Sequence, residues 1–478
     1  MSTKQSIDAP EKQEKLKRGL SNRHIQLIAI GGAIGTGLFM GSGKTISMAG
    51  PSIVFVYLII GFFMYLVMRA MGELLLSNLS YKSFTDFCED ILGPKAGFFI
   101  GWSYWFVWVV AGTADVIAIS SYVYFWFPDI SAWIPAISCV LLLVGLNLVS
   151  VNLFGEMEFW FALLKVIAIV AIIVIGAILV LTSFVSPDGH VASLANIWEN
   201  GGLFPKGALG FFAGFQMAIF AFGGIELIGA AAAEAKNPET NLPRAINTIP
   251  LRIILFYAFA LLAIMAITPW NSLDPGASPF VTTFAMVGIP AAAGIINFVA
   301  MTSAASSANS GIYSTSRMVY GLAKVGAAPK FFGKLSQNRV PTNALLFSCI
   351  CVLLGTSMLI IMPSIMAAFT VMTTIAAILL MFVWTMTLFS YLSYRRKYPE
   401  RHQASKFKLP GGTTTCYITL LFFVFVIVLL ALEEDTRMVL MLMPVWFGLL
   451  YVCQRLSSKH HRKFDFDAAR YTDSSHDH

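Results

Sequence analysis

Two clusters of glycines have the residue types and spacing from which a binding site could be built. The first, residues 31 to 43, reads Gly-Gly-Ala-Ile-Gly-Thr-Gly-Leu-Phe-Met-Gly-Ser-Gly. The second, residues 220 to 226, reads Phe-Ala-Phe-Gly-Gly-Ile-Glu. Each glycine inside a helix costs roughly 1 kcal/mol of helix propensity relative to alanine. Both clusters therefore predict a broken helix, and a break leaves backbone N–H and C=O groups free to bind a ligand.

The two breaks offer complementary chemistry. A break near Gly35-Thr36-Gly37 exposes the start of a half-helix, where unpaired N–H groups and the positive end of the helix dipole would hold a carboxylate. Unwinding at the second break frees carbonyl oxygens around Phe220, Ala221 and Gly223, which could accept from an ammonium group. Amide donors that face carbonyl acceptors describe a site for an amino-acid zwitterion.

Close helix packing is the alternative for both clusters. Gly31-x-x-x-Gly35 and Gly37-x-x-x-Gly41 match the small-residue contact motif of membrane helices. Two such motifs need four glycines, however, and the first cluster holds six. In the second cluster, packing leaves Glu226 unexplained, because a carboxylate inside a membrane is costly and usually functional.

Two further ionisable residues lie deep in apolar segments. Lys165 lies about 12 Å into its segment at 1.5 Å per residue, where it either extends to the inner surface or is buried and exchanges protons. A fixed cation there would also discourage a nearby sodium ion. Asp115, among Gly112, Thr113 and Ala114, is either a proton carrier or a packing carboxylate bound to a neighbouring hydroxyl.

Polar residues elsewhere allow weaker assignments. Asn309 lies in a segment rich in serine and alanine, where close packing and direct ligand contact are both open. Arg69, Glu73, Glu156 and Glu158 lie near the inner ends of apolar segments. These four are interpreted mainly as interface charges, and a gating ion pair is the less favoured alternative.

These residues need membrane helices to position them. The 478 residues are 57% hydrophobic and 12% charged, with a mean hydropathy of +0.74, so the chain is an all-α polytopic membrane protein. We predict twelve spans, numbered one to twelve in chain order. They begin near Ile25, Ile53, Gly97, Trp133, Phe159, Leu209, Ile253, Ala291, Ala344, Ile365, Tyr417 and Val439.

The distribution of charge predicts the orientation of the chain. The net charge is +7, and all but six of the 32 lysines and arginines lie in the tails and inner loops if both termini are cytoplasmic. That bias follows the positive-inside rule and argues against a nucleic-acid patch. The first 23 residues are polar and lack the pattern of a cleavable signal peptide. We therefore expect a multi-pass protein of a bacterial inner membrane.

The positions of the two breaks predict an internal repeat. Spans one and six are both interrupted, as in transporters built from inverted repeats. Five spans per repeat place one to five against six to ten, with eleven and twelve appended. The predicted divisions are a cytoplasmic tail at 1–23, the first repeat at 24–182, an external loop at 183–206, the second repeat at 207–392, a cytoplasmic loop at 393–412, spans eleven and twelve at 413–456, and a cytoplasmic tail at 457–478.

Several motifs together resemble the bacterial amino acid transporter family of the amino acid, polyamine and organocation superfamily. The resemblance extends from about Leu20 to Leu456 and keeps the order and spacing of its motifs. The motifs are Gly31 to Gly43, Phe222-Gly-Gly-Ile-Glu226, Glu234-x-x-x-Asn-Pro-Glu239 with Pro243-Arg-Ala-Ile, and Ser310-Gly-Ile-Tyr-Ser-Thr-Ser-Arg317.

The resemblance implies a LeuT-like fold with a five-plus-five inverted repeat and a set of site residues. By position, Ile34, Gly35, Thr36 and Gly37 would contact the substrate carboxylate, and Phe220, Ala221 and Gly223 its amino group. Glu226 would couple binding to gating, and Lys165 would occupy the place of a sodium site.

The resemblance also implies proton-driven import of small neutral amino acids, chiefly glycine, D-alanine and D-serine. The segments Asn22–Ile46 and Arg69–Asn78 are most similar to members with these substrates. Relatives that carry proline, L-alanine, aromatic or basic amino acids share the other motifs, so those substrates remain alternatives, as does a receptor that binds amino acids without moving them. The chain carries no phosphate loop, hydrolase elbow or paired-cysteine metal motif. We therefore expect neither an enzyme nor a metal or organic cofactor, only a proton as the coupling ion.

Overall fold

The computed structural model describes residues 34–81, 83–149, 151–227, 237–286, 288 and 290–457. Within these ranges the chain is helical, with one isolated antiparallel bridge between Val185 and Val191 and no strand. The predicted tail at 1–23, the beginning of span one with Gly31, and the chain after residue 457 lie outside the described residues. The all-α prediction is confirmed.

The helices follow the predicted order of the spans. Their bounds are Thr36–Phe39 and Gly41–Ala49 for span one, Ile53–Ser77 for two, Pro94–Tyr124 for three, Trp133–Val149 for four, Val151–Leu181 for five, Gly207–Ala213 and Phe215–Ala218 for six, Ile249–Ile253 and Ala260–Ile267 for seven, Pro290–Lys324 for eight, Thr342–Gly355 for nine, Ile365–Lys397 for ten, Gly412–Leu432 for eleven and Glu434–Ser457 for twelve. Shorter helices outside these spans are Phe84–Leu92, Pro238–Asn247, Pro279–Met286, Met358–Ile361 and Pro399–Ala404.

The structure has fewer long helices than predicted spans, because one long stretch contains two spans and two other spans form short helices. Among the described residues, 9 helical stretches are long and apolar enough to cross a membrane. One of them, Gly41–Ser77, contains parts of two spans, because Gly50 adopts a φ of 61° and turns the chain between them. Spans four and six form the shorter apolar helices Trp133–Leu148 and Gly207–Phe222. Each of the twelve predicted spans therefore has a helix in the structure.

Span three is the central helix of the bundle. Of its most apolar stretch 83% is buried, compared with 22% for span twelve. It packs along spans eight and ten, so its polar side chains face other helices rather than lipid. Span twelve instead exposes large apolar side chains such as Met438, Val445 and Leu456, as a lipid-facing helix does.

The C-terminal end of span two holds the loop between spans ten and eleven. Glu73 is fully buried, and its Oε1 lies 2.5 Å from His402 Nδ1. Its Oε2 accepts from the Leu409 amide at 2.9 Å, while the Arg69 guanidinium stacks on the Phe407 ring at 3.8 Å. The interpretation of Glu73 as an interface charge is wrong, because the loop folds over it and buries it.

Candidate functional site

The predicted first break lies at the start of the described helix of span one, and residues 24–33 lie outside the described residues. Gly35 is extended, with φ −126° and ψ −166°, and its carbonyl accepts the first backbone bonds of the helix at 3.1 and 3.3 Å. The amides of Thr36 and Gly37 precede that first bonded turn, as at any helix N-terminus. The helix continues through Gly41–Ala49, so the positive end of its dipole points to Gly35.

The second break lies at the glycine pair of span six. The helix ends as the 3-10 turn Phe220–Phe222, and Gly223 leaves it with a ψ of 138°. Gly224 then adopts a φ of 92°, in the left-handed region that favours glycine. The predicted interruption of this span is therefore present, and the glycine pair is its physical cause.

Two carbonyls of the second break already have donors. The Phe220 carbonyl accepts from the Gly223 amide at 2.9 Å, and the Ala221 carbonyl accepts from the Tyr257 hydroxyl at 2.7 Å. The expectation that unwinding leaves both of these carbonyls free is wrong. Tyr257 reaches Ala221 from a π-helical turn, Ile254–Phe259, in span seven. Each carbonyl oxygen keeps one further lone pair for a ligand.

The two breaks lie in direct contact. A Cβ added to Gly37 would lie 2.6 Å from the Cα of Ala221, so only glycine permits this approach. A Cβ at Gly35 would meet only the Ser307 hydroxyl, at 3.8 Å, which is an ordinary contact. The packing interpretation therefore explains Gly37, while Gly35 belongs to the break itself.

A cavity of about 430 Å³, including its opening, lies between the two breaks. Its lining residues are Gly35, Thr36, Gly37, Val107, Trp108, Ala111, Asp115, Phe220, Ala221, Gly223, Gly224, Ser307 and Leu380. All of the predicted substrate contacts except Ile34 are among them. Ile34 is buried outside the lining, and its carbonyl accepts from the Ser303 hydroxyl at 3.4 Å.

The sequence did not single out Trp108 and Ala111 of span three. They precede Asp115 by seven and four residues and share its helix face. That spacing was the available signal, because it places an indole, a small residue and a carboxylate along one stripe. Ser307 and Leu380 come from spans eight and ten, and no local pattern connects them to the glycine clusters.

Asp115 connects span three to the first break. Its Oδ1 accepts from the Thr36 hydroxyl at 2.6 Å. The residue is 1% exposed, and its Oδ2 accepts no hydrogen bond of ordinary length among the described residues. The hydrogen bond from the Thr36 hydroxyl fits the packing alternative for Asp115, but Oδ2 remains able to accept from a further donor.

Glu226 lies beyond the cavity, at the end of the second break. Its Oε1 accepts from the Tyr104 hydroxyl of span three at 3.1 Å, and the Trp384 indole of span ten lies beside it. Tyr104 is one helical turn from Trp108, which lines the cavity. Glu226 therefore links spans three, six and ten next to the cavity.

Lys165 is buried and belongs to a polar network between spans five and eight. Only 3% of it is exposed, and its Nζ donates to the Ser306 hydroxyl at 3.2 Å. Ser306 in turn donates to Glu158 Oε2 at 2.8 Å. The interpretation in which Lys165 extends to the inner surface is wrong, because its amine is held by a hydroxyl of the bundle interior. Ser307, the next residue, lines the cavity.

Glu158 and Asn309 complete this network. Glu158 is 4% exposed, and its Oε1 accepts from the Asn309 side-chain amide at 3.5 Å. The Asn309 carbonyl oxygen accepts from Asn147 of span four at 2.7 Å. Glu158 is therefore not an interface charge, since its side chain faces span eight. The side chain of Glu156 lies outside the described residues.

These features define the class of the protein: a multi-span membrane protein in which the start of the described helix of span one and the broken helix of span six enclose a small polar cavity near buried ionisable groups. A ligand site between two discontinuous spans is typical of secondary transporters. The family model described as "Amino acid permease" matches residues 24–465 of the chain. The chain belongs to the amino acid permease family.

Relatives of known name cover nearly the whole chain. The D-serine/D-alanine/glycine transporter of Escherichia coli K12 is 61% identical over 440 residues, which is 92% of this chain and 94% of that protein. The amino-acid permease AapA of Bacillus subtilis is 51% identical over 94% of this chain and 97% of its own. The DL-alanine permease SerP2 of Lactococcus lactis is 42% identical over 96% and 100%.

Proposed function

We propose that this amino acid permease imports glycine, D-alanine and D-serine together with a proton. The 61% identical relative carries these three substrates in its name, which supports the same substrate class here. The cavity supports it as well, because glycines, alanines and a serine form much of its lining and leave room for a small side chain.

The observation that carries the proposal is the contact of the two breaks at one cavity. The substrate carboxylate would lie at the amides of Thr36 and Gly37, where the helix dipole favours an anion. The ammonium would lie toward Phe220, Ala221 and Gly223 on the other side of the cavity. A zwitterion with a small side chain thus satisfies both breaks at once.

Transport would proceed by alternating access around this site. Span six contacts the first break and, through Glu226, the helices of spans three and ten. A tilt of the broken helices relative to those spans would disrupt the Tyr104 contact and open one side of the cavity. Glu226 would in this way connect substrate binding to the gate.

The coupling proton would be carried by the pair formed by Lys165 and Glu158. Ser306 lies between the two charged groups and is adjacent in sequence to Ser307 of the cavity. A substrate that moves Ser307 therefore acts directly on this network. Protonation of the pair during inward movement would make the transported complex sensitive to the proton gradient.

The chain would lie in the inner membrane with both termini in the cytoplasm. The bias of lysines and arginines toward the tails and inner loops supports this orientation. The loop between spans ten and eleven carries Arg401, Lys406 and Lys408. In this orientation it would face the cytoplasm.

Uptake of radiolabelled glycine into proteoliposomes tests the function. We expect accumulation of glycine that unlabelled D-alanine and D-serine reduce more than proline, phenylalanine or lysine do. Stronger competition by one of those three would contradict the substrate assignment. Binding without accumulation would instead indicate a receptor, and recovery of a chemically altered product an enzyme.

A further inference from the structure

We infer that Asp115 binds the substrate ammonium directly through its Oδ2 atom. This inference rests on the proposed function, since it names the group that holds one charge of the proposed substrate. It assigns to a side chain of span three a contact that the glycine patterns assign to carbonyls of span six.

Asp115 is a built acceptor site in the cavity. The residue is 1% exposed and lines the cavity, and Thr36 fixes its Oδ1 at 2.6 Å. Its Oδ2 accepts no hydrogen bond of ordinary length among the described residues, and the Ser307 hydroxyl of the cavity lining lies beside the carboxylate. A buried carboxylate oxygen without a partner carries a large desolvation penalty, and a cationic N–H donor in the cavity would remove it.

The opposite side of the cavity offers weaker acceptors. The Phe220 and Ala221 carbonyls each already accept one hydrogen bond, from Gly223 and Tyr257. A carbonyl dipole also attracts an ammonium less strongly than a full negative charge does. An ammonium between these carbonyls and Asp115 therefore gains most from the carboxylate.

Thr36 brings the two proposed substrate-binding groups close together. Its backbone amide belongs to the helix start that would hold the carboxylate, and its side chain holds Asp115. The anion site and the Asp115 carboxylate therefore both contact the same residue, Thr36. In an α-amino acid the two charged groups are attached to a single carbon, so one small molecule reaches both.

The charges around Asp115 leave its anion available to a ligand. Lys165 interacts electrostatically with both Asp115 and Glu158, but its Nζ donates to Ser306, which in turn donates to Glu158. One lysine thus lies near two carboxylates, and the substrate ammonium would balance the negative charge of the second, Asp115. In this arrangement Asp115 binds substrate, while Lys165 and Glu158 serve the proton.

Equilibrium binding to the purified protein tests the inference, with glycine compared against glycolate, which has a hydroxyl in place of the ammonium. We expect the wild type to prefer glycine strongly. Asp115→Asn should weaken glycine binding by about 30-fold or more while glycolate binding stays the same or improves. Glu73→Gln removes another buried carboxylate, one that holds the loop between spans ten and eleven and lies outside the cavity lining, and should keep the preference for glycine.

Two results would overturn the inference. Wild-type affinity for glycine in Asp115→Asn, with loss of uphill accumulation alone, would make Asp115 a proton carrier. Equal weakening of glycine and glycolate would make it a structural residue. If Asp115→Asn does not fold, Asp115→Glu retains the charge and decides the question. This variant should still prefer glycine over glycolate, and it should bind D-alanine more weakly because the added methylene fills part of the cavity. Equal binding of glycine and glycolate would refute the inference.

Failure of the proposed function would give a different result. A wild-type protein that binds neither glycine nor D-alanine but binds another amino acid would contradict the substrate assignment only. The same comparison would then use that amino acid and its hydroxy-acid counterpart, and the expected effect of Asp115→Asn on their ratio is unchanged.

Discussion

The buried polar side chains of this protein pair between spans. Asp115 of span three bonds to Thr36 of span one, and Lys165 of span five to Ser306 of span eight. In a bilayer each unpaired polar group is costly, so these bonds hold particular helices together. A change in one of them during transport is therefore a change in how two spans are arranged.

Lys165→Ala should reduce gradient-driven glycine accumulation far more than glycine binding, because the lysine contacts Ser306 and does not line the cavity. The measurements are proteoliposome uptake and equilibrium binding on the same preparation. The double variant Lys165→Ala with Glu158→Gln is the control for an unpaired buried carboxylate. It should restore thermal stability but not accumulation, and equal losses of binding and accumulation in both variants would indicate structural damage instead.

Gly37→Ala should impair transport much more than Gly35→Ala. The new Cβ at position 37 would lie 2.6 Å from the Cα of Ala221, whereas at position 35 the nearest atom is 3.8 Å away. Such overpacking typically costs about 1–3 kcal/mol and here would separate the two breaks. Uptake and thermal unfolding of both variants check this, and similar behaviour of the two would refute a close approach at Gly37.

The sequence predicted features that depend on local residue pattern and missed those that depend on packing between helices. Glycine clusters mark breaks because helix propensity is a local property. Depth within a span likewise identified Lys165 and Asp115. It misassigned Glu73 and Glu158, because distance from the end of a span does not reveal whether a loop or a neighbouring helix covers that face.

Among the helices, span seven contributes more to the site than its sequence indicated. Its π-helical turn Ile254–Phe259 carries Tyr257, whose hydroxyl binds the Ala221 carbonyl. Such turns are frequent at functional sites, but no residue type marks them in a uniformly apolar segment. The break in span six was predictable, and the helix that stabilises it was not.

The loop between spans ten and eleven should depend on span two for its position. Glu73→Ala removes the acceptor of the Leu409 amide and the partner of His402. Leaving such a buried group unpaired costs about 1–3 kcal/mol. We expect a lower unfolding temperature in detergent and faster proteolysis within 399–411. Glu400→Ala, an exposed change in the same loop, is the control, and equal behaviour of the two variants would refute this anchor.

For the molecule as a whole, substrate binding and proton coupling would lie at two neighbouring sites. The cavity between the breaks would hold the amino acid, and the network of Lys165, Ser306 and Glu158 lies beside it, joined through the adjacent residue Ser307. The pairing of spans one and six supports the predicted five-plus-five inverted repeat, which stays a prediction. Coupling between substrate and proton would follow from the short path between the sites.

The most direct test of this account is glycine uptake into sodium-free proteoliposomes under an imposed inward proton gradient. We predict that labelled glycine accumulates above its external concentration, and that a protonophore abolishes the accumulation. A strict requirement for sodium, or uptake that does not respond to the proton gradient, would contradict the account and the role given to Lys165.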